Sequence, residues 1–407
     1  MRNLMVAVSL WAIAGAANAA VIKVTPDGDA QEKVQTALLD AKPGDVVELA
    51  AGKFVFTDGL SLDIDNVTVR GAGPDKTVLS FAGQKGAGEG LLITSDKVTV
   101  RDLAVEDSKG DGLKAKGVDQ ISFLNVRVEW TGGPKESNGA YGVYPVSSTN
   151  VLVDRAVVRG ASDAGIYVGQ SKNIIVKNST AEFNVAGIEI ENCWNADVFD
   201  NLATRNAGGI LVFDMPSLPQ KDGHSVRVFR NKVVKNDTAN FAPEGNIVAS
   251  VPTGTGVMVM ANRNVHVYGN EIDDNQTAAV MLVAFQKEYD DADYNPLPRE
   301  VVVRDNKIGK NGFSPQFPGG AELAQAVGGV IPPILWDGVT SYSKGAQKVS
   351  IPANMRLTDG PVLNLNLAAP AAMDTAKPGV EPTVQAGGAI AEPATVVLPA
   401  KQAKLAS

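Results

Sequence analysis

The chain has 407 residues, 45 acidic against 37 basic, a formal net charge of −8, 44% hydrophobic residues and a single cysteine, Cys193. The excess of carboxylates makes it a poor host for nucleic acid, because neutralising phosphates needs clustered Lys and Arg. One cysteine excludes an internal disulfide, and without a paired Cys/His set neither structural zinc nor covalent haem has support, so a large core has to carry the fold unaided.

Taken in chain order, the first element is a leader. Arg2, the apolar run "LMVAVSLWAIAGAA" and the small residues "ANA" ending at Ala19 predict a Sec-type signal peptide cleaved after Ala19. The mature chain is then periplasmic or secreted. No later segment is long and apolar enough to span a membrane. Residues 27–44 read as a helical cap. Asp29 and Glu32 stand at capping-box spacing, Val34, Ala37, Leu38 and Ala41 form an apolar stripe, and Pro43-Gly44 ends it.

From there to about residue 313 the chain repeats itself. Gly165-Ile166 returns as Gly187-Ile188 and as Gly209-Ile210, at intervals of about 22 residues. Each unit holds three short apolar segments, such as "GIYV", "NIIV" and "STAEF". Strands of three to five residues are unstable alone. They become stable when each repeat lies on the last and continues a parallel sheet at about 4.8 Å spacing. Three strands per coil of about 22 residues is an all-β fold, a right-handed parallel β-helix, with the hand following the general preference of parallel crossovers. Two Asn columns support the stacking: Asn201, Asn231, Asn270 and Asn306, then Asn206, Asn236, Asn275 and Asn311. Stacked amides donate to and accept from one another, and Asn tolerates the left-handed conformation of a tight bend.

Insertions interrupt the repeat at 132–140, 215–224, 237–254 and 286–299, at the two corners that flank the Gly-Ile strand. Residues 314–367 read as a C-terminal cap that closes the solenoid domain, 20–367, over its open sheet edge. Residues 368–407, rich in Ala and Pro, read as a disordered tail.

The helix followed by "AKPGDVVELAAGKF", the Gly-Ile-x-Val and Asn-x-x-Val rhythm and the Asn columns resemble the pectin-lyase-like superfamily, and most closely its parallel β-helix repeat group, which holds periplasmic accessory proteins and mannuronan epimerases. The ending "ILWDG" with "LNLNL" resembles one exported family of that group whose genes sit beside a second exported protein. The resemblance covers roughly residues 27–313. It implies a polysaccharide bound, and modified, on the loop-flanked strand face. The rival it implies is a non-catalytic accessory protein that docks the second exported protein. The Asp-Pro-His stretch of the epimerases is absent.

Strand alternation turns Ile166 and Val168 inward and Tyr167 outward. Coil by coil this gives one outward column, Lys114, Tyr144, Tyr167, Glu189, Leu211, Met258 and Met281. A second runs Lys116, Val146, Gly169, Glu191, Phe213, Met260 and Val283. Glu189 and Glu191, two apart on one face, are candidate catalytic carboxylates; a solvated strand face of alternating charge is the plainer account of them. Lys114 is a candidate base, and Lys116 a partner for a uronate carboxyl. Tyr144 and Tyr167 are candidates to stack on a sugar ring, or on each other. Asp214 and His224, bracketing the 215–224 loop, complete the expected substrate-binding set. No metal site and no cofactor are assigned. The apolar half of the face (Phe213, Met258, Met260, Met281) calls for a cover, either the chain's own loops and residues 314–367 or a partner.

Overall fold

The computed structural model describes residues 19–86 and 88–405; the expected signal peptide, Ala19 apart, lies outside them. Successive repeats stack in register. Ile166 stands over Ile188, which stands over Ile210, Val257, Val280, Ile334 and Val362 in turn. The chain is a right-handed parallel β-helix. A 12-stranded sheet carries the Gly-Ile strands, and a 21-stranded sheet wraps the other faces. Ile166, Val168, Ile188, Ile190, Ile210 and Val212 are fully buried in one interior core with the inward residues of the second sheet. Burying such a side chain stabilises the fold by roughly 1.5–3 kcal/mol.

Both Asn columns form ladders. Asn201 Nδ2 donates to Asn231 Oδ1 at 3.0 Å, Asn231 to Asn270 at 3.0 Å and Asn270 to Asn306 at 2.8 Å. The second ladder starts one coil earlier, at Asn184, and runs through Asn206, Asn236 and Asn275 to Asn311. From the second rung of each ladder onward, the Oδ1 also accepts the backbone N–H of the Asn one coil before it, as Asn231 Oδ1 does from Asn201 at 3.0 Å. The left-handed bend, however, falls one residue earlier than expected. Asp200, Arg205, Arg230, Lys235, Asp274 and Asp305 have φ of 54–57°. Except at Asn311, the residue preceding each amide of the two columns turns the corner; the amide itself satisfies the buried backbone.

The helix Ala30–Asp40 closes the N-terminal end. Asp29 caps it by accepting from Glu32 N at 3.1 Å. At the other end the solenoid continues through Ile334–Trp336, Met355–Leu357 and Val362–Asn364. Antiparallel strands Gly379–Glu381 and Val384–Ala386 then pair with the last of them in each sheet, so a reversed strand covers each terminal edge.

The tail differs from its expected disorder. Residues beyond Ala386 run back along the rod, over an outward column that steps through Ser122, Leu152, Ile175, Asp197, Arg227, His266, Val302 and Arg356. Arg356 donates to the carbonyls of Ala386, Gly387 and Gly388. Glu392 accepts from Tyr268 Oη at 2.8 Å and Arg304 Nη2 at 2.9 Å. Val396 and Leu398 pack on Leu124 and Leu152. Gln402 donates to Ile121 O and Asn150 O, both at 2.8 Å. A composition poor in aromatics cannot build its own core, but it can fill a groove that the solenoid has already formed.

Candidate functional site

The outward face of the Gly-Ile sheet holds a second cluster of buried side chains, separate from the interior core. Its roof comes from the predicted insertions. Residues 237–254 cross from one corner and 286–299 from the other, and they meet where Lys287 Nζ donates to Gly245 O at 2.9 Å. The 286–299 loop is tied down by Tyr294, whose hydroxyl donates to Asp214 O, and by Asp291, which accepts from Ser217 N at 2.9 Å and pairs with Lys221 at 2.8 Å. Phe213, Met258, Met260 and Met281 are all buried under this roof. The chain covers its own apolar half, so those residues offer no exposed docking face.

The polar half keeps the expected columns. Tyr144 pairs in register with Lys114, and Tyr167 with Glu189. Lys114 is spoken for, since its Nζ lies 2.8 Å from Glu89 Oε1 and 3.0 Å from Asp111 Oδ2, and 4.8 Å from the Tyr144 ring centroid. Burial alone would lower its pKa, but those two carboxylates prevail and raise it. A lysine so held is a poor general base. Lys116 ends its strand exposed.

Three tyrosines meet here. Tyr144 and Tyr167 sit edge-to-face with centroids 5.0 Å apart, and Tyr141 lies 4.5 Å from one and 4.4 Å from the other. Tyr167 is 4% exposed, while Tyr144 and Tyr141 are half-buried. The Tyr167 hydroxyl donates to Glu191 Oε1 at 2.5 Å. Gln170 Nε2 reaches both that hydroxyl and Glu191 Oε1 at 3.2 Å.

Glu189 and Glu191 do not form a solvated face; they are 1% and 7% exposed. Glu189 Oε2 has no hydrogen-bond partner among the described residues. Asp163, one coil earlier, joins them and accepts from Asn246 Nδ2 of the roof at 3.1 Å. Burial, and for Asp163 the neighbouring Glu191 charge, pushes Asp163 and Glu191 up to about 7. Burial with the charges of Asp163 and Glu191 also raises Glu189 well above the usual carboxylate range. Carboxyls raised this far keep a share of their protons at neutral pH, where an ordinary carboxylate keeps almost none. Asp214 is likewise pushed up to about 7 by burial, against the hydrogen bond it accepts from Gly223 N at 2.8 Å.

His224 differs from its expected place. It opens the strand His224–Phe229 of the larger sheet rather than sitting in the loop. It stacks on Trp194 at 5.5 Å, with Nδ1 2.9 Å from Ser225 Oγ. Burial and then the Arg263 charge lower its pKa. Around the same corner, Ser147, Ser148, Thr149, Gln170, Lys172, Pro219 and Gln220 line a polar cleft of about 260 Å³. Gln170 therefore links that cleft to Glu191. Among the described residues no group of three or more His, Cys, Asp or Glu is arranged to hold a metal ion.

Sequence reasoning missed Tyr141, Asp163 and Gln170. Each lies at or beyond the end of the Gly-Ile alternation, where the period of two assigns no face.

Together the fold and this face define a right-handed parallel β-helix with a partly roofed strand face. Residues 55–239 match the family described as right handed beta helix region. Among solved structures, the chain is similar to the DFA-IIIase from Arthrobacter chlorophenolicus A6, at 12% identity over 78% of this chain and 92% of that one, with a TM-score of 0.50. It is similar to the A-module of the Azotobacter vinelandii mannuronan C-5 epimerase AlgE6, at 18% identity, 70% and 84% coverage and a TM-score of 0.48. It is also similar to an alginate lyase from Paenibacillus sp. str. FPU-7, at 16% identity, 73% and 97% coverage and a TM-score of 0.47. At these identities the likeness is one of fold. Comparison with the curated proteins finds no match.

Proposed function

We propose that the protein binds a neutral polysaccharide across the Tyr144 end of this face and the adjoining polar cleft, with Glu191 as the proton donor to the bound glycan. The observation that carries the reading is the junction at Gln170. On one side it lines a cleft of hydroxyls, amides and one lysine; on the other it touches Tyr167 and Glu191. Aromatic edges and faces suit the apolar faces of sugar rings, and amides and hydroxyls suit their hydroxyl groups. A carboxyl held near pH 7 is matched to general acid work at neutral pH. A uronate chain suits the face less well. Lys114 is already shared between Glu89 and Asp111, and Asp163, Glu189 and Glu191 add negative charge whenever they ionise. The leader at residues 1–19 puts this role outside the cytoplasm in the same reading, and N-terminal sequencing of the exported protein, beginning at Ala20, checks it.

Affinity electrophoresis through gels cast with neutral or uronate polysaccharides tests the proposal. Retention is expected in at least one neutral glycan. Tyr144→Ala should abolish it, and Glu191→Gln should keep it while removing any turnover. Retention by uronate gels alone, or retention indifferent to Tyr144→Ala, would count against it.

A further inference from the structure

We infer that the roofed, apolar half of the Gly-Ile face is a binding site for an acyl chain, distinct from the polysaccharide site. Between the strands Thr255–Met260 and Ala278–Val283 and the roof lies a pocket of about 320 Å³. That is about twice the 150 Å³ apolar cavity that accommodates benzene, and it falls within the range of small-molecule sites. Met258, Met260, Met281 and Met373 line it, four of the eight methionines in the chain. Thioether side chains are unbranched and adaptable, and they recur where a site moulds itself around apolar ligands.

The polar groups in the lining are distributed unevenly. Asp337 lies at the buried end, but its oxygens already accept Ala284 N at 2.6 Å and Val339 N at 3.0 Å. Methionine, valine and leucine surround it, so that end has no free partner for a sugar hydroxyl. Gln286 and Lys287 are exposed and stand at the mouth. An apolar interior with an amide and a cation at its rim fits a chain whose apolar end points inward and whose carboxylate head stays at Lys287. The volume is far larger than a bare soft metal ion would fill.

The test uses the full mature chain and 11-(dansylamino)undecanoic acid, whose emission rises on leaving water, with octanoate, decanoate and dodecanoate as competitors. Saturable enhancement is expected, with competition strengthening by up to about fourfold for each methylene moved out of water. Val283→Phe fills the pocket and should weaken decanoate at least tenfold. Met258→Ala enlarges it and should shift the preferred competitor to a longer chain. Lys287→Glu removes the roof contact to Gly245 O as well as the cation, so the comparison is between ligands on the one variant: it should weaken decanoate more than decanol. Circular dichroism melts establish that each variant folds. No enhancement with the unaltered protein would overturn the inference. So would competition that Lys287→Glu and whichever pocket variants fold all leave unchanged.

Discussion

Glu191, Asp163 and Glu189 are carboxyls that a folded chain keeps from water. Their pKa values are raised in the folded state, so the folded form binds protons more tightly than the unfolded one. Their contribution to stability is greatest below the unfolded value, near 4, and for Asp163 and Glu191 it is lost as pH rises through the folded value of about 7. Glu191→Gln removes the ionisation and keeps the shape. It should raise the melting temperature at pH 8 and leave it nearly unchanged at pH 4.5; an equal shift at both pH values would contradict this reading. Alternation along "GIYV" and "GIEIE" made the outward direction of Tyr167, Glu189 and Glu191 legible. Their burial was not, because the covering groups come from far along the chain: Asn246 reaches Asp163 across 83 residues, and nothing within a 22-residue repeat signals that approach.

At the scale of elements, the ladders and the tail make opposite demands on sequence reading. The Asn columns were legible because each rung is one repeat from the next, and only stacking brings Asn201, Asn231, Asn270 and Asn306 together. Removing one rung has a calculable cost. Asn231 Oδ1 accepts both the side chain and the backbone N–H of Asn201, so Asn231→Ala leaves two buried donors unpaired at roughly 1–3 kcal/mol each. Urea titration should show a loss of about 2–6 kcal/mol, and a loss under about 1 kcal/mol would mean that the amides carry no weight. The tail was misread because its anchors are isolated residues. Glu392, Val396, Leu398 and Gln402 form no period, yet each meets a partner on the solenoid. Truncation after Gly388 should lower the melting temperature by several degrees and expose Leu124 and Leu152 to a hydrophobic dye. An unchanged melt with no dye binding would mean that the tail rests on the rod without stabilising it.

The whole molecule is a solenoid with two covered faces. The tail lies along one, and paired insertions roof the apolar half of the other, leaving Tyr144, Gln170 and the polar cleft at its open end. The architecture followed from the repeat because a β-helix is quasi-one-dimensional and each coil contacts chiefly its neighbours. The site followed only in part, since insertions break that locality and decide which outward residues stay accessible. Hydrogen exchange of the full chain, with and without a saturating neutral oligosaccharide, tests the central claim most directly. The account predicts protection confined to residues 141–149, 167–172 and the loop at 217–221. Protection on the tail-covered face instead, or none at saturation, would contradict it.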